Sequence, residues 1–481
     1  MKKIALILLS ITFLLTSCHK DLDIVQNNQL SANNMWKTEA DVRSAVFGAY
    51  VYVRNSLKTN IMYWGEYRNG LWGPGTFGTL HDAHMSSTVS STMNATNSYA
   101  SWTNLYTTIN QANLIIRAAQ EMDISQEAKG FALSHGHFIR AYMYFLIGRT
   151  WGDAPLALEG FESTEQDMYL SRAPQAEVFA QVEADLAAAQ AHVSHMGTNK
   201  AIATAAALAM MQADFGLWMY RVQEAGDSYL AAAESAIATL ALSPDRLETN
   251  FAKIFDPAAK KGKEIIWALH QEQGESEGGF MRPQLWNSSY ILPAHRNTSV
   301  PIIENQWWVY TDVYIDLIQE NASDQRSAVT YAHGPYGTGN QEVGWANKYV
   351  GRVISGTRVL DDDIVMYRYA QAYLLDAEIK YYRSNYSGAL ASVNVVANRA
   401  YGQANHYTDT APAAVLQALV TENLKEFASE GNTWWTLIRT DKVWDYNPSV
   451  ASQRNKTNIL LWPITQSAIN RNRNLTQTVG W

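Results

Sequence analysis

Nine stretches of this chain repeat apolar residues at three-to-four spacing, and that periodicity restricts it to a mainly α-helical fold. The first opens at Thr38, where Thr38 followed by Asp41 fits a capping box, and carries Ala40, Val42, Ala45, Val46, Ala49 and Tyr50. The others cover about 100–122, 127–150, 174–194, 199–219, 227–241, 363–383, 387–400 and 412–430. Pro174 and Pro412 stand where a first helical turn would begin. Only 12 of 481 residues are proline, about half the usual ~5%, which favours helices over an all-β chain. Several stretches come as pairs, such as 199–241 and 363–400, and set Ala205, Ala206 and Ala207 against Phe215, Trp218 and Tyr220. Pairs of roughly 34–40 residues predict a tetratricopeptide-like scaffold, although consensus residues are not kept from pair to pair.

Two segments break the helical scheme. Residues 60–98 are rich in Gly, Ser, Thr and Asn around Tyr63, Trp64, Tyr67, Trp72 and Phe77. Residues 250–355 mix Gly, Pro and Asn with Trp286, Tyr290, Trp307, Trp308, Tyr310, Tyr336 and Trp345. Loops of this length in a compact protein usually carry function, and such aromatic content argues against disorder. They are expected to pack across the scaffold and share its core.

The N-terminus reads as an export signal. Met1-Lys2-Lys3 is a basic start, and Ile4 to Leu15 is a twelve-residue apolar run, too short for the ~20 residues of a membrane span. Leu15-Thr16-Ser17-Cys18 resembles a bacterial lipobox, so residues 1–17 are expected to be cleaved and Cys18 lipidated. Residues 18–36 then form a polar spacer, with Gln26-Asn27-Asn28-Gln29. Cys18 is the only cysteine, which excludes an intramolecular disulfide framework and a Cys-rich zinc site. The net charge of −8, without a basic block, argues against nucleic acid as a partner.

Candidate chemistry is sparse. Glu422, Glu426 and Glu430 repeat at i, i+4, i+8, so three carboxylates share one helical stripe. They could serve a metal or acid/base site, but no Glu-x-x-His accompanies them, and they are expected instead to pair with interior arginines such as Arg399 or Arg439. His81-Asp82-Ala83-His84 places two imidazoles and a carboxylate in an aromatic loop without a third zinc ligand. His135 and His137 lie two apart on a helix and point to different faces. Asp361-Asp362-Asp363 lacks EF-hand spacing, and Asp363 reads as the N-cap of the following helix. No Walker loop is present. A glycosidase carboxylate pair leaves no local spelling and stays open.

Five ordered motifs resemble the SusD/RagB-like nutrient-binding lipoproteins of the Gram-negative outer membrane. They are Ala40-Asp41-Val42 through Phe47-Gly48-Ala49-Tyr50; Ile139-Arg140-Ala141-Tyr142 through Trp151-Gly152-Asp153-Ala154-Pro155-Leu156; Arg368-Tyr369-Ala370 through Asp376-Ala377-Glu378; Asn394 with Arg399-Ala400; and Leu461-Trp462-Pro463-Ile464 through Asn474-Leu475-Thr476-Gln477 and Gly480-Trp481. Thr433 and Thr436 replace an Arg and an Asp usual in that family. The resemblance implies one SusD-like domain over 37–481 and a surface lipoprotein of the outer membrane. Such a protein captures oligosaccharide and passes it to a TonB-dependent, SusC-like transporter, with no catalysis, cofactor or metal. Peptide capture and an exported (α/α)-helical glycoside hydrolase are the alternatives.

Aromatic residues divide by position. Trp102, Trp151, Trp218, Trp434, Trp435, Trp462 and Trp481 fall on helices or in the motifs and are expected in the core. In the irregular segments, Trp72, Trp286 and Tyr290 are candidate stacking residues for sugar rings. Arg68, His81, Asp82 and Asn287 are candidate hydrogen-bonding neighbours.

Overall fold

The computed structural model describes residues 35–75, 83–163, 165–276, 280, 284–296, 300–302 and 306–481. Helix α1 (Glu39–Leu57) starts with the capping box expected from sequence: Asp41 N–H donates to Thr38 Oγ1 and Thr38 N–H to the Asp41 carboxylate. Helices α2 (Thr103–Glu121) and α3 (Gln126–Trp151) form a hairpin, and α4 (Gln175–Ala191) packs on α3. Two more hairpins follow, α5 (Ala205–Arg221) with α6 (Asp227–Thr239) and α7 (Tyr369–Tyr382) with α8 (Tyr386–Tyr401). Helices α9 (Pro412–Phe427) and α10 (Thr433–Arg439) close the scaffold, with Pro412 in the first turn of α9. The architecture is mainly helical and built from helix pairs, as the periodicity predicts.

Helix α3 is the spine, because it is apolar on every face and therefore needs neighbours all round. Every residue from Phe138 to Trp151 is buried. Phe145 meets Phe179 of α4 and Phe215 of α5, and Trp218 of α5 meets Trp435 of α10 edge-on at 5.8 Å. The residues read from sequence as core are buried, except that Trp481 is half-buried, its ring covered by Lys456 Nζ at 3.8 Å.

The irregular segments contain ordered structure that helical periodicity could not reveal. Four antiparallel two-stranded ribbons pair β1 (Trp72–Pro74) with β3 (Trp308–Tyr310), β2 (Ile265–Leu269) with β8 (Ile364–Arg368), β4 (Tyr331–Gly334) with β5 (Val343–Ala346), and β6 (Arg352–Ile354) with β7 (Thr357–Val359). A short helix, Asn60–Gly65, lies against α10 so closely that a Cβ on Gly65 would stand 1.9 Å from the Gly431 carbonyl oxygen.

Two helix starts differ from the sequence expectation. Residues 364–368 are strand β8, because Ile364, Val365 and Tyr367 bury themselves beside the wholly buried β2. Asp363 is therefore no N-cap; Arg368 holds that position, and the Asp363 carboxylate accepts the Gln271 N–H at 3.0 Å. Residues 199–204 also stay outside α5, which is capped by Thr204.

Candidate ligand-binding site

The two irregular segments meet at the β1–β3 ribbon. Pro74 faces Trp308 and Trp72 faces Tyr310, and the Gly75 N–H extends the pairing to the Trp307 carbonyl at 3.0 Å. Gln306 ties this ribbon to its neighbours, its amide donating to the carbonyls of Gln284 (3.0 Å) and Gly344 (2.8 Å). Trp286 Nε1 donates to the same Gly344 carbonyl at 3.0 Å. Beside the ribbon lies a groove of about 380 Å³, lined by Trp72, Pro74, Ser86, Ser90, Trp308 and Asn447 among others. Among the described residues no charged side chain lines it. Indole edges, proline rings and hydroxyls offer apolar contact with neutral hydrogen bonding.

The structure redistributes the residues picked from sequence. Arg68 is not a ligand contact: it is fully buried, because its guanidinium gathers the carbonyls of Ile459 (2.5 Å), Leu460 (3.0 Å) and Leu461 (3.2 Å). Trp286 is likewise core, 1% exposed, within a small cluster with Ile291, Val300, Val343 and Trp345. Trp72 is 2% exposed and wedged between Tyr67 and Tyr310, so it forms the floor of the groove and offers no open stacking face. Tyr290 and Asn287 remain half-buried at the edge of the small cluster. Asn287 caps the turn Ser288–Tyr290, its Oδ1 accepting from the Ser289 N–H at 2.8 Å. Cys18, His81 and Asp82 lie outside the described residues. Ser86, Ser90 and Asn447 were not anticipated; nothing in their local sequence marks them.

The carboxylate stripe on α9 is a buried ion-pair network. Arg326 binds Glu422 (2.7 Å) and Glu426 (3.2 Å), and Arg368 binds Glu426 (2.5 Å), Glu430 (2.8 Å) and Glu264 (2.8 Å). Arg399 joins Glu264 to Glu426, and Lys348 completes Glu430 at 2.8 Å. Burial alone would raise the Glu426 carboxyl, but Arg399, Arg368 and Arg326 together hold it well below the usual carboxylate range. Arg399 thus fulfils the pairing expected from sequence, whereas Arg439 turns instead to Glu378 and Asp214. Among the described residues, no cluster of three or more His, Cys, Asp or Glu is arranged to hold a metal ion.

Two family models match, and they cover different parts of the chain. Residues 304–481 fit the SusD family, and residues 24–213 fit a family described as starch-binding and associating with the outer membrane. The chain belongs to the SusD family. A SusD-like protein of Formosa agariphila is 23% identical over 98% of this chain and 99% of its own length. The starch-binding protein SusD of Bacteroides thetaiotaomicron is 31% identical, over 33% of this chain and 29% of its own. A solved SusD-superfamily structure from Bacteroides fragilis superposes with a TM-score of 0.79 at 22% identity, covering 93% of this chain and 100% of that one. SusD-family proteins bind rather than catalyse, and the family's name places it with the outer membrane. Among the described residues no helix is long and apolar enough to cross a membrane.

Proposed function

We propose that this SusD-family chain is a lipid-anchored, surface-exposed binding protein. It captures a neutral oligosaccharide at the β1–β3 groove and delivers it, uncleaved, to a TonB-dependent outer-membrane transporter. The observation that carries the reading is the groove itself: both irregular segments converge on it, and its described lining is aromatic, proline and hydroxyl without a charge. Sugars present flat C–H faces and many hydroxyls, which such a lining complements. A peptide ligand, with its charged ends and side chains, would find no counter-charge there. Ser86 lines the groove with a half-buried side chain, so Ser86→Trp fills it without disturbing the core.

A glycan array on the purified chain, followed by calorimetry on the best ligand, tests the capture step. Ser86→Trp should abolish binding while leaving the melting temperature unchanged; retained affinity would overturn the site. Delivery requires co-purification with a large outer-membrane barrel after mild detergent extraction. Anchoring requires that Cys18→Ala be recovered without acyl chains.

A further inference from the structure

A second cavity, of about 490 Å³ and lined by other residues than that groove, lies between α2, the loop after α3 and the short helix Gln466–Arg471. We infer that it is a second ligand site, selective for a carboxylate carried on a flat, apolar ring system. Its floor is aromatic: Trp102 and Tyr106 meet edge-to-face at 5.6 Å, and Phe161, Met168 and Leu475 form its walls. A volume of several hundred Å³ with such a lining is that of a small-molecule pocket.

The amides that reach this cavity are already used to build it. Asn110 donates to the Phe161 carbonyl at 3.0 Å and accepts the Phe161 N–H at 2.6 Å. Asn113 donates to the carbonyls of Ala157 and Glu159, both at 2.9 Å, and accepts from Arg140 at 2.9 Å. Asn472 donates to the Leu170 carbonyl at 2.9 Å, and the Tyr106 hydroxyl to the Pro155 carbonyl at 2.8 Å. The walls are thereby pinned to one another before any ligand arrives. With both Asn113 N–H groups and one each from Asn110 and Asn472 spent on the walls, few amide donors are left to meet sugar hydroxyls.

One charge remains. Among the described residues, Arg471 is the only charged residue lining the cavity and no carboxylate pairs with it; Nε and Nη2 are held by Ser467 at 3.2 and 2.8 Å. An exposed guanidinium fixed at its root, above an aromatic floor, selects an anion with an apolar body. Met168, which lines the cavity, is 45% exposed and adds apolar surface at its opening.

The experiment is calorimetric titration of the full chain, in detergent-free buffer, with 2-naphthoate, the neutral 2-naphthalenemethanol, and decanoate. Naphthoate should saturate at one site and bind more tightly than either comparison compound. Thr107→Trp fills the mouth from an exposed helical position and should weaken naphthoate at least ten-fold. Arg471→Gln should weaken naphthoate roughly two- to five-fold, the range of an exposed ion pair, and leave the alcohol unchanged. Glycan binding should be unaltered in both variants, so failure here is distinguishable from failure of the β1–β3 site. Absence of naphthoate binding, insensitivity to Thr107→Trp, equal loss of acid and alcohol in Arg471→Gln, or preference for decanoate would each overturn the inference.

Discussion

The guanidinium of Arg68 lies 4.7 Å above the ring of Trp434, so a side chain from the first irregular segment is a structural pillar of the C-terminal region. Arg68→Met should cost about 3–5 kcal/mol, the usual result of leaving buried partners uncompensated. Chemical denaturation measures the loss. Ligand affinity of the fraction still folded should stay within about two-fold; a larger drop would return Arg68 to the binding surface.

Glu66 gives the fold a pH dependence of unusual sign for a carboxylate. Burial raises its carboxyl to about 7, although it accepts the N–H groups of Ser429 and Gly431 at 3.0 and 3.2 Å. The folded chain therefore holds a proton that the unfolded chain releases near pH 4.5. This contribution is complete below the unfolded value and disappears as pH rises through 7. Burial pushes Asp362 up to about 7 as well, so it acts in the same direction. Denaturation midpoints at pH 5 and pH 8 should differ less in Glu66→Gln than in the parent, by roughly 2–3 kcal/mol. An identical pH slope in the two proteins would refute this assignment.

Tyr290 and Trp286, 6.4 Å apart, should respond in opposite ways. Trp286→Ala empties the centre of the small cluster and should lower stability by about 3–5 kcal/mol. Tyr290→Ala removes a half-buried ring and should leave stability nearly unchanged. If Tyr290 touches the glycan, its loss should weaken binding by very roughly two- to twelve-fold, the equivalent of about 0.5–1.5 kcal/mol. Measuring melting temperature and affinity on both variants decides the matter.

Arg368 is the hub of the ion-pair network, and Arg368→Met would leave Glu264, Glu426 and Glu430 short of a cation. A loss of about 3–5 kcal/mol is expected from removing one side of such a network. Adding Glu430→Gln should recover part of it, because one of the stranded charges disappears. Additive losses in the double variant would show that the two do not interact.

The scaffold was legible because helices write their burial locally: α3 through α9 each announce a face or a spine in consecutive residues. Residues 364–368 were misread because a fully buried strand and a buried helical turn share the same apolar spelling. Only the partner strand, almost a hundred positions away, decides between them. The site was less legible for a related reason. Trp72, Trp286 and Arg68 sit in Gly- and Asn-rich surroundings that look exposed, yet long-range partners bury them. Ser86, Ser90 and Asn447 become neighbours only when three distant segments converge.

The carbonyl that Arg68 holds most closely belongs to Ile459, 391 positions later, and β1 pairs with β3, well over two hundred residues on. A chain that emerges N-terminus first therefore cannot finish even its first hundred residues until its last few dozen have appeared. Contacts of such sequence separation slow folding, because the closure of the intervening loop precedes any return. If the chain is exported as proposed, this delay is protective, because the early segment stays unlocked until the tail has crossed the membrane.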